Sequence, residues 1–404
     1  MKICYCPLLL PDAEKLLSKT DSKLSFSRHK FGLGLLEGIQ ENFNDDIKVM
    51  NIINTVNFPK YKQLFFRTEN WSHNNSSEDL HIGYINLFVI KYITQYLNLK
   101  KQLKKWIKKN GNEEIIICVQ DMYFPSLCAA LSVSKKYKNV KSCLVTGDLT
   151  GKFGLSPNCS PLKNFLIQLK DKYVDKQVKR FDSFVFLTKH MADALQVSHK
   201  PFTVMEALFS SNATSLNPIN NLEKDKKIVF YAGALREEYG IGHLLRAFSL
   251  IEDPSYRLYI AGGGPAVDMI KDYADKDSRI NFLGFISPKE VEEYHNLATA
   301  LINPRTSELE FVKYSFASKN MESLASGKPY IAHKLPCDPP EYENHIQYAD
   351  DESDEALSRK IIEICELPKE ERDKIARSAR EFILNEKNPK AMCKRIIDMW
   401  KSII

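Results

Sequence analysis

The sequence predicts an α/β protein of two doubly wound domains, each built on a sheet of mostly parallel strands. Short apolar runs alternate with longer amphipathic segments, which is the pattern of buried parallel strands covered by helices on both faces. This alternation stops in a polar stretch, 210–227, and then restarts. A chain of 404 residues is also long enough to form two cores of ordinary size.

The first series, 1–210, contains six apolar runs that are predicted to be strands. They are 2–7, 47–53, 114–119, 141–146, 182–188 and 202–206. Helices are expected at 84–110, 123–137 and 161–180, and the segment 55–80 is expected to be irregular.

The second series, 222–388, repeats the pattern. Strands are expected at 227–233, 257–262, 280–285, 299–304 and 329–333. Helices are expected at 240–251, 265–275, 288–298, 317–326, 352–366 and 368–386, and a last helix, 389–404, closes the chain. Ligands of doubly wound sheets bind beyond the carboxyl ends of the strands, so a site is expected in a cleft between the two domains.

The composition is that of an ordinary globular protein, with 44% hydrophobic residues, 27% charged residues and a net charge of +6. The charge permits an anionic partner without requiring one. Nine scattered cysteines without a C-x-x-C pair favour reduced thiols in a cytoplasmic protein. The first apolar run breaks at Pro11, unlike a signal peptide, and no run reaches the roughly 18 residues of a membrane span. No metal site is expected.

The stretch 314–331, YSFASKNMESLASGKPYI, is the most informative segment. It predicts a loop, a short helix and a buried strand, with Gly327 ending the helix. Ser318, Lys319 and Glu322 would share one helical turn. A hydroxyl, an ammonium and a carboxylate at a helix start suit a nucleotide, because cations and amides bind phosphates while a carboxylate accepts ribose hydroxyls.

Two other loops follow predicted strands in the second series. GGGP at 262–265 lacks the third glycine of a dinucleotide fingerprint, since position 267 is Val, and a tight turn that needs no ligand is the favoured interpretation. In the loop of 232–248, Arg236 either binds a diphosphate through its guanidinium or is a solvated loop residue.

The first series offers two weaker motifs. In SRHKFGLGLLEG (27–38), Gly32 and Gly34 either let the backbone approach a ligand at a helix start or pack closely, and His29 and Lys30 are polar candidates beside them. The 84–110 helix ends in lysines without an acidic residue. This run is either a solvated face or a contact with an anionic membrane surface. Nucleic acid is not expected as a partner, because no recognition module accompanies the lysines.

Taken together, these segments resemble the retaining nucleotide-sugar glycosyltransferases of family 4, also called group 1, in the form seen in bacterial capsule, exopolysaccharide and lipopolysaccharide assembly. The resemblance is carried by YAG-x-L, LYIAGGGP, NFLGF, LINP and SF-x-SK-x-x-E-x-LASGKP over 227–333. Over 1–210 it is mainly architectural. It implies the GT-B fold, in which two Rossmann-like domains face a cleft and the last helix packs back on the N-terminal domain.

The resemblance also implies site residues. Glu322 matches the glutamate that holds the donor ribose, and Ser318 and Lys319 match the pair beside the diphosphate. Gly233 matches the glycine of the first loop of the C-terminal domain. A further two positions, Phe285 and Ile286, match the segment that borders the base.

Three departures from the family pattern matter. Tyr314 replaces a glutamate that contacts the donor sugar, with Phe316 beside it, so the sugar is left open. Asp148 lies where many relatives carry a catalytic-side histidine.

The third departure concerns the diphosphate. Ala234 and Tyr239 replace the basic pair of the family, so the phosphate charge must be met by other cations. The candidates are Arg236, Lys319 and Arg305.

The implied reaction moves a sugar from a UDP- or GDP-sugar to the hydroxyl of a glycan or a lipid-linked acceptor, with retention, without a metal and without a cofactor. The departing phosphate would take the acceptor proton, and Asp148 or His29 would orient the acceptor. The implied location is the cytoplasm, with peripheral contact to the inner face of the plasma membrane. A GT-B epimerase or phosphorylase and a non-catalytic nucleotide-sugar-binding subunit remain as alternatives.

Overall fold

The computed structural model describes residues 1–10, 26–43, 45, 47–74, 78–147, 149, 161–209 and 225–404. They fall into two compact units, the first made of Met1–Leu208 with Pro389–Ile404 and the second of Phe209–Asn388. Both units are α/β structures on sheets of mostly parallel strands, which confirms the predicted fold class.

The first unit contains ten strands among its described residues. They are β1 Lys2–Cys6, β2 Lys48–Asn51, β3 Phe65–Phe66, β4 Glu69–Trp71, β5 Asp79–His81, β6 Tyr84–Ile85, β7 Ile115–Gln120, β8 Val140–Thr146, β9 Ser183–Phe186 and β10 Phe202–Val204. Eight of them form one sheet in the order β10-β9-β8-β7-β1-β2-β5-β4, in which only the β4–β5 pair is antiparallel. All six residues of β7 are buried, as expected for a central strand covered on both faces.

The helices of the first unit lie between these strands. They are α1 Phe26–Asn42, α2 Ile90–Asn110, α3 Phe124–Ser134, α4 Pro161–Val178 and α5 His190–Ala194. Two expectations were wrong in part. The segment 55–80 contains β3, β4 and part of β5, and the helix expected from residue 84 begins at Ile90, because Tyr84 and Ile85 pair with β3 as an antiparallel strand.

The second unit has a six-stranded parallel sheet in the order β13-β12-β11-β14-β15-β16. Its strands are β11 Lys227–Ala234, β12 Tyr256–Gly263, β13 Ile280–Gly284, β14 Ala300–Asn303, β15 Tyr330–Ala332 and β16 Gln347–Tyr348. Its helices are α6 Ile241–Ser249, α7 Val267–Lys276, α8 Pro288–Leu297, α9 Lys319–Ala325, α10 Asp354–Glu366 and α11 Lys369–Glu386. The start of α8 is set by the local sequence, because Ser287 at the N-cap and Glu290 in the first turn form a capping box.

The last helix, α12 Pro389–Ile403, returns to the first unit. It packs against α1, where a Cβ on Gly38 would lie 2.2 Å from the carbonyl oxygen of Pro389, so only glycine allows this approach. Its apolar face joins the first core, where Trp400 is fully buried. In the described part of the chain, no helix combines the length and the apolar character that a membrane crossing requires.

Candidate functional site

The carboxyl ends of the second sheet bring several predicted residues to one edge. Because β11 to β15 are all parallel, the loops that follow them leave the sheet on the same side. The helix α9 precedes β15 and therefore begins at this edge. The edge thus carries Gly233, Phe285, Arg305 and the Ser318–Lys319 turn, which were separate motifs in the sequence.

The Lys319 ammonium is held at the end of β11. Its Nζ donates a hydrogen bond to the carbonyl oxygen of Ala232 at 2.5 Å. The residue as a whole is exposed, but the loss of water around the ammonium lowers the pKa of Lys319, and the negative charge of Glu322 opposes this shift. The result is a lysine whose ammonium is partly stripped of water.

Gly233 leaves the space that this lysine occupies. A Cβ at position 233 would lie 2.9 Å from Lys319 Nζ and 2.6 Å from the Tyr231 hydroxyl oxygen, so any side chain would displace one of them. The neighbouring strand end is equally tight. Gly262 has φ +131°, and a Cβ there would lie 1.8 Å from the Gly233 carbonyl oxygen. The GGGP turn thus serves close packing of two strand ends, in agreement with its favoured interpretation.

The other two residues of the α9 turn face solvent. Ser318 is the N-cap residue, but its side chain makes no capping hydrogen bond. Glu322 is exposed on the first turn of α9, while Met321 and Leu324 are buried and seat the helix on the sheet. A hydroxyl and a carboxylate are therefore presented at the sheet edge beside the Lys319 cation.

Phe285 follows β13 and is 88% exposed, an unusual state for a large aromatic side chain. Its ring lies over Gly263, where a Cβ would come within 2.2 Å of it. The next residue, Ile286, is half-buried. Folding does not require an aromatic ring in this position, so the ring is available to a ligand.

Comparison with known proteins identifies the segment that carries this edge. Residues 213–382 match the family model described as glycosyl transferases group 1. This segment is a group 1 glycosyl transferase domain.

Two relatives match part of the chain. The alpha-monoglucosyldiacylglycerol synthase of Streptococcus pneumoniae is 33% identical over 131 residues, 31% of this chain and 28% of the relative. The protein of the same name from Acholeplasma laidlawii is 27% identical over 140 residues, 33% of each chain. The chain therefore spans no more than about a third of the length of these relatives.

Solved structures match over the whole chain. Sucrose-phosphate synthase from Thermosynechococcus elongatus is 14% identical with a TM-score of 0.62, covering 100% of this chain and 99% of the other. Anabaena HepE in complex with UDP is 13% identical with a TM-score of 0.57, covering 100% of both. At these identities the likeness concerns the fold, which is that of GT-B enzymes.

Arg305 of the group 1 domain lies inside the protein, with only 5% of its surface exposed. Its Nη1 donates to the carbonyl oxygen of Ser315 at 3.1 Å, and its Cζ lies 4.8 Å from the ring centre of Phe311 and 5.5 Å from that of Tyr239. Burial lowers its pKa. Arg305 thus packs on two aromatic rings and hydrogen-bonds a backbone carbonyl. Its predicted contact with a diphosphate stays a prediction, and burial weighs against it.

Tyr239 belongs to the cluster of side chains around Arg305. The ring of Tyr239, a position for which the resemblance implies a basic residue, packs beside the Arg305 guanidinium. Tyr239 also lies beside Phe311, with ring centres 6.4 Å apart.

Three other predicted residues take local partners. The Nε atom of Arg236 lies 3.5 Å from Glu238 Oε2, a half-exposed pair that contributes little to stability. Tyr314 lies in a short 3₁₀ turn with its hydroxyl 3.5 Å from Glu310 Oε1. Phe316 is buried against Tyr342, with ring centres 5.4 Å apart, so its side chain belongs to the core.

A histidine network near the same edge was missed by sequence reasoning. His243 Nδ1 bonds to the Asp354 carboxylate, and His243 Nε2 lies 2.8 Å from His333 Nε2. Burial, with the nearby His243, lowers the pKa of His333 to about 4. The network borders a cavity of about 470 Å³ that is also lined by Glu237 and Arg246. Because these residues are isolated in the sequence, no spacing signal could have revealed them.

In the first unit, the glycine motif lies within a helix and not at its start. Since α1 spans Phe26–Asn42, Gly32 and Gly34 are interior, buried positions. A Cβ on Gly32 would lie 2.5 Å from Gln120 Oε1, which accepts the Tyr5 hydroxyl at 2.9 Å. Gly32 therefore serves close packing, the second of the two alternatives.

The remaining first-unit candidates divide into described and undescribed positions. His29 Nδ1 accepts the backbone N–H of Leu10 at 3.1 Å, and burial lowers its pKa, whereas Lys30 is exposed. Asp148 lies outside the described residues. Asp121, which the sequence analysis missed, follows β7 with φ +64° and pairs with Arg28 Nε at 2.6 Å. A non-glycine residue in this backbone region is uncommon and typical of functional loops.

A search of the described residues finds no group of three histidine, cysteine or carboxylate side chains placed to hold a metal ion.

Proposed function

We propose that the protein is a glycosyltransferase of the hexosyl-transferring type, which moves a sugar from a UDP- or GDP-sugar to an acceptor hydroxyl. The observation that carries the proposal is the Lys319 ammonium, fixed at the end of β11 in the space left by Gly233, with Glu322 on the same first turn of α9. The arrangement lies within a group 1 glycosyl transferase domain. A fold relative in complex with UDP supports a uridine nucleotide first.

The chemistry requires charge stabilisation more than proton transfer by the protein. The bond from the anomeric carbon to the diphosphate oxygen breaks, and negative charge collects on the leaving phosphate. A lysine ammonium has three N–H donors, so Lys319 can keep its bond to Ala232 while donating to a phosphate oxygen. Its partial desolvation strengthens that interaction, because the same charge pair is worth more outside bulk water.

Glu322 and Ser318 are proposed to bind the rest of the donor. An exposed carboxylate accepts two hydroxyl hydrogens at once, which matches the 2′ and 3′ hydroxyls of a ribose. The Ser318 hydroxyl, unused by the helix cap, donates to the diphosphate. Phe285 and Ile286 border the base, with the exposed Phe285 ring as a stacking surface.

We further propose retention of the anomeric configuration without a metal ion. The acceptor oxygen attacks from the face that the diphosphate leaves, and the acceptor proton passes to the departing phosphate oxygen. A fixed cation, Lys319, with Arg236 nearby in the β11–α6 loop, takes the part that a divalent ion plays elsewhere. This proposal rests on the family resemblance and on the lysine geometry.

The proposed acceptor is a glycan or a lipid-linked hydroxyl at the cytoplasmic face of a membrane, used in polysaccharide or glycolipid assembly. Two relatives carry the name of a synthase whose product is a glucosylated diacylglycerol, which supports an acceptor embedded in lipid. His29 is the proposed residue on the acceptor side.

The test uses the full-length protein with a panel of UDP-, GDP-, ADP- and CMP-sugars, with diacylglycerol vesicles and soluble glycosides as acceptors. The expected products are free nucleoside diphosphate and a new glycoside, formed equally with and without EDTA. Lys319→Met should lose transfer, whereas Lys289→Met, an exposed lysine on α8, should not. Donor binding without transfer or hydrolysis would identify a binding subunit instead. A chain that binds none of the donors would overturn the proposal.

A further inference from the structure

The exposed face of α2 is apolar over its N-terminal half. Ile90, Ile93 and Leu97 lie on one face at i, i+3 and i+7, and they are 42%, 52% and 53% exposed. The opposite face anchors the helix in the first unit. That face contains Lys91, Gln95, Leu99, Leu103 and Ile107, all buried. The helix therefore has a complete attachment to its own unit and leaves a second apolar stripe in solvent.

Two aromatic residues extend this stripe beyond the helix. Phe88 lies two residues before the start of α2 and is 75% exposed, and Phe65 in β3 is 63% exposed. Phe65 is the register partner of Ile85 in β6, which packs against α2. Five large exposed apolar residues thus lie on α2, just before it, or on the strand pair that contacts it, and we name them the apolar end: Phe65, Phe88, Ile90, Ile93 and Leu97. Clustered exposure of this kind marks an interaction site.

The same helical face becomes basic in its C-terminal half. The positions 4, 7 and 11 residues after Leu97 lie on the same face. They are Lys101, Lys104 and Lys108, which we name the basic end. The sequence of α2 contains no aspartate or glutamate that would neutralise them. At a rise of about 1.5 Å per residue, Ile90 and Lys108 are about 27 Å apart, so the two ends form one elongated surface.

The order of apolar and then basic residues along this face of α2 indicates which kind of partner binds there. A nucleic acid would bind the lysines but would leave the aromatic and aliphatic side chains in water. A second copy of the chain would bring like-charged lysines together. An anionic bilayer satisfies both ends, because its acyl boundary takes apolar side chains and its headgroups attract lysines.

We propose that the exposed face of α2 is a two-part docking surface for an anionic lipid bilayer. The apolar end enters the boundary between headgroups and acyl chains, and the basic end lies over the headgroups. This inference deepens the peripheral membrane partner proposed above by assigning insertion to residues outside the lysine run. It does not depend on sugar transfer, and its test is independent of catalysis.

The test measures co-sedimentation of the full-length protein with vesicles of phosphatidylcholine, with and without phosphatidylglycerol, at low and high salt. Lys101→Ser/Lys104→Ser/Lys108→Ser should lower the partition coefficient for anionic vesicles about 100-fold at low salt, at roughly fivefold per lysine. Because salt screens charges, this variant and the wild type should converge at high salt.

The apolar variant Phe88→Ser/Ile93→Ser/Leu97→Ser should behave differently. It should lose at least tenfold in binding at both salt concentrations, since burial of apolar surface is not screened. The matched control is Leu250→Ser/Ile362→Ser in the second unit, two apolar residues with 49% and 38% exposure, which should bind as the wild type does.

The outcomes separate this inference from the proposed function. Lys319→Met should bind vesicles as the wild type does, and the α2 variants should hydrolyse or bind a donor normally. Wild-type binding by the apolar variant, or equal binding to neutral and anionic vesicles, would overturn the inference. So would a dimer in sedimentation velocity that dissociates in the apolar variant, because the face would then be a contact between copies.

Discussion

The two units share a fold but differ in what fills the carboxyl ends of their central strands. In the first unit, the ends of β1 and β7 are closed by side chains, because Gln120 accepts the Tyr5 hydroxyl at 2.9 Å and donates to the Arg28 carbonyl at 3.0 Å. In the second unit, β11 ends in Gly233-Ala234 and β12 in Gly262-Gly263, and the Lys319 ammonium reaches the backbone. The second unit therefore leaves room for a charged side chain at strand ends of the kind that the first unit closes, and the proposed phosphate site uses this room.

Glycine has opposite uses in the two places. Gly32 makes room for a neutral amide, so its function is to let α1 pack tightly. Gly233 makes room for a cation at a surface edge, where no packing requirement explains a charged neighbour. The comparison predicts that equivalent substitutions will affect stability in one unit and ligand binding in the other.

The largest expected effect follows from removing the cation of the second unit. Lys319→Met should lower kcat about 10²–10³-fold, the usual loss when one fixed donor to a developing charge is removed. Steady-state kinetics with the preferred donor would measure this. Lys289→Met is the matched control and should leave kcat unchanged. Unaltered turnover in Lys319→Met would move the phosphate role to another residue.

The next effect concerns the carboxylate on the same helix. Glu322→Gln should weaken donor binding by about 1–3 kcal/mol, because ribose hydroxyls lose a charged acceptor. Calorimetric titration with the nucleotide would report the change. Glu355→Gln, an exposed first-turn glutamate of α10, is the control. Equal affinity for both variants would remove Glu322 from the proposed site.

The paired glycine substitutions sharpen the comparison directly. Gly32→Ala should destabilise the fold by about 1–3 kcal/mol, since a methyl group would lie 2.5 Å from Gln120 Oε1, and should leave donor affinity intact.

Gly233→Ala should instead weaken donor binding, because the methyl group would lie 2.9 Å from Lys319 Nζ. Thermal unfolding and donor titration of both variants provide the test, and Tyr231→Phe in the Gly233→Ala background should recover part of the affinity. If both single variants lost stability to a similar extent, the predicted difference between the two glycine positions would be wrong.

The smallest effect is a pH dependence. Desolvation lowers the folded-state pKa of Lys319, so its ammonium loses the proton at a lower pH than an ordinary lysine, whose pKa is about 10.4. Donor affinity should therefore fall on the alkaline side, and Lys319→Arg should remove that fall. An alkaline profile that is the same in wild type and Lys319→Arg would assign the titration elsewhere.

The sequence predicted the fold class and most elements because continuous apolar strands and amphipathic helices produce strong periodic signals. It also predicted that residues 318–322 form a turn, and the group 1 domain confirms the family resemblance over that half. The sequence-based prediction failed where contacts between distant segments determine the structure. Nothing local distinguishes Arg305 in an aromatic pair from a surface arginine, and Tyr84 pairs as a strand although the helical pattern continues through it.

The sequence also could not show which apolar side chains are exposed to solvent. The lysines of α2 were visible in the sequence, but the exposed apolar stripe before them was not, since periodicity cannot tell which of two apolar faces is covered. The histidine network that joins His243 and His333 was likewise assembled by strands and helices far apart in the chain.

The central claim is that the glycine-lined edge of the second unit holds a nucleoside diphosphate through Lys319. Calorimetric titration of UDP and GDP into wild type, Gly32→Ala and Lys319→Met tests it most directly. We predict that one nucleotide binds wild type and Gly32→Ala with the same affinity and binds Lys319→Met at least tenfold more weakly. Equal affinity of that nucleotide for wild type and Lys319→Met would contradict the claim.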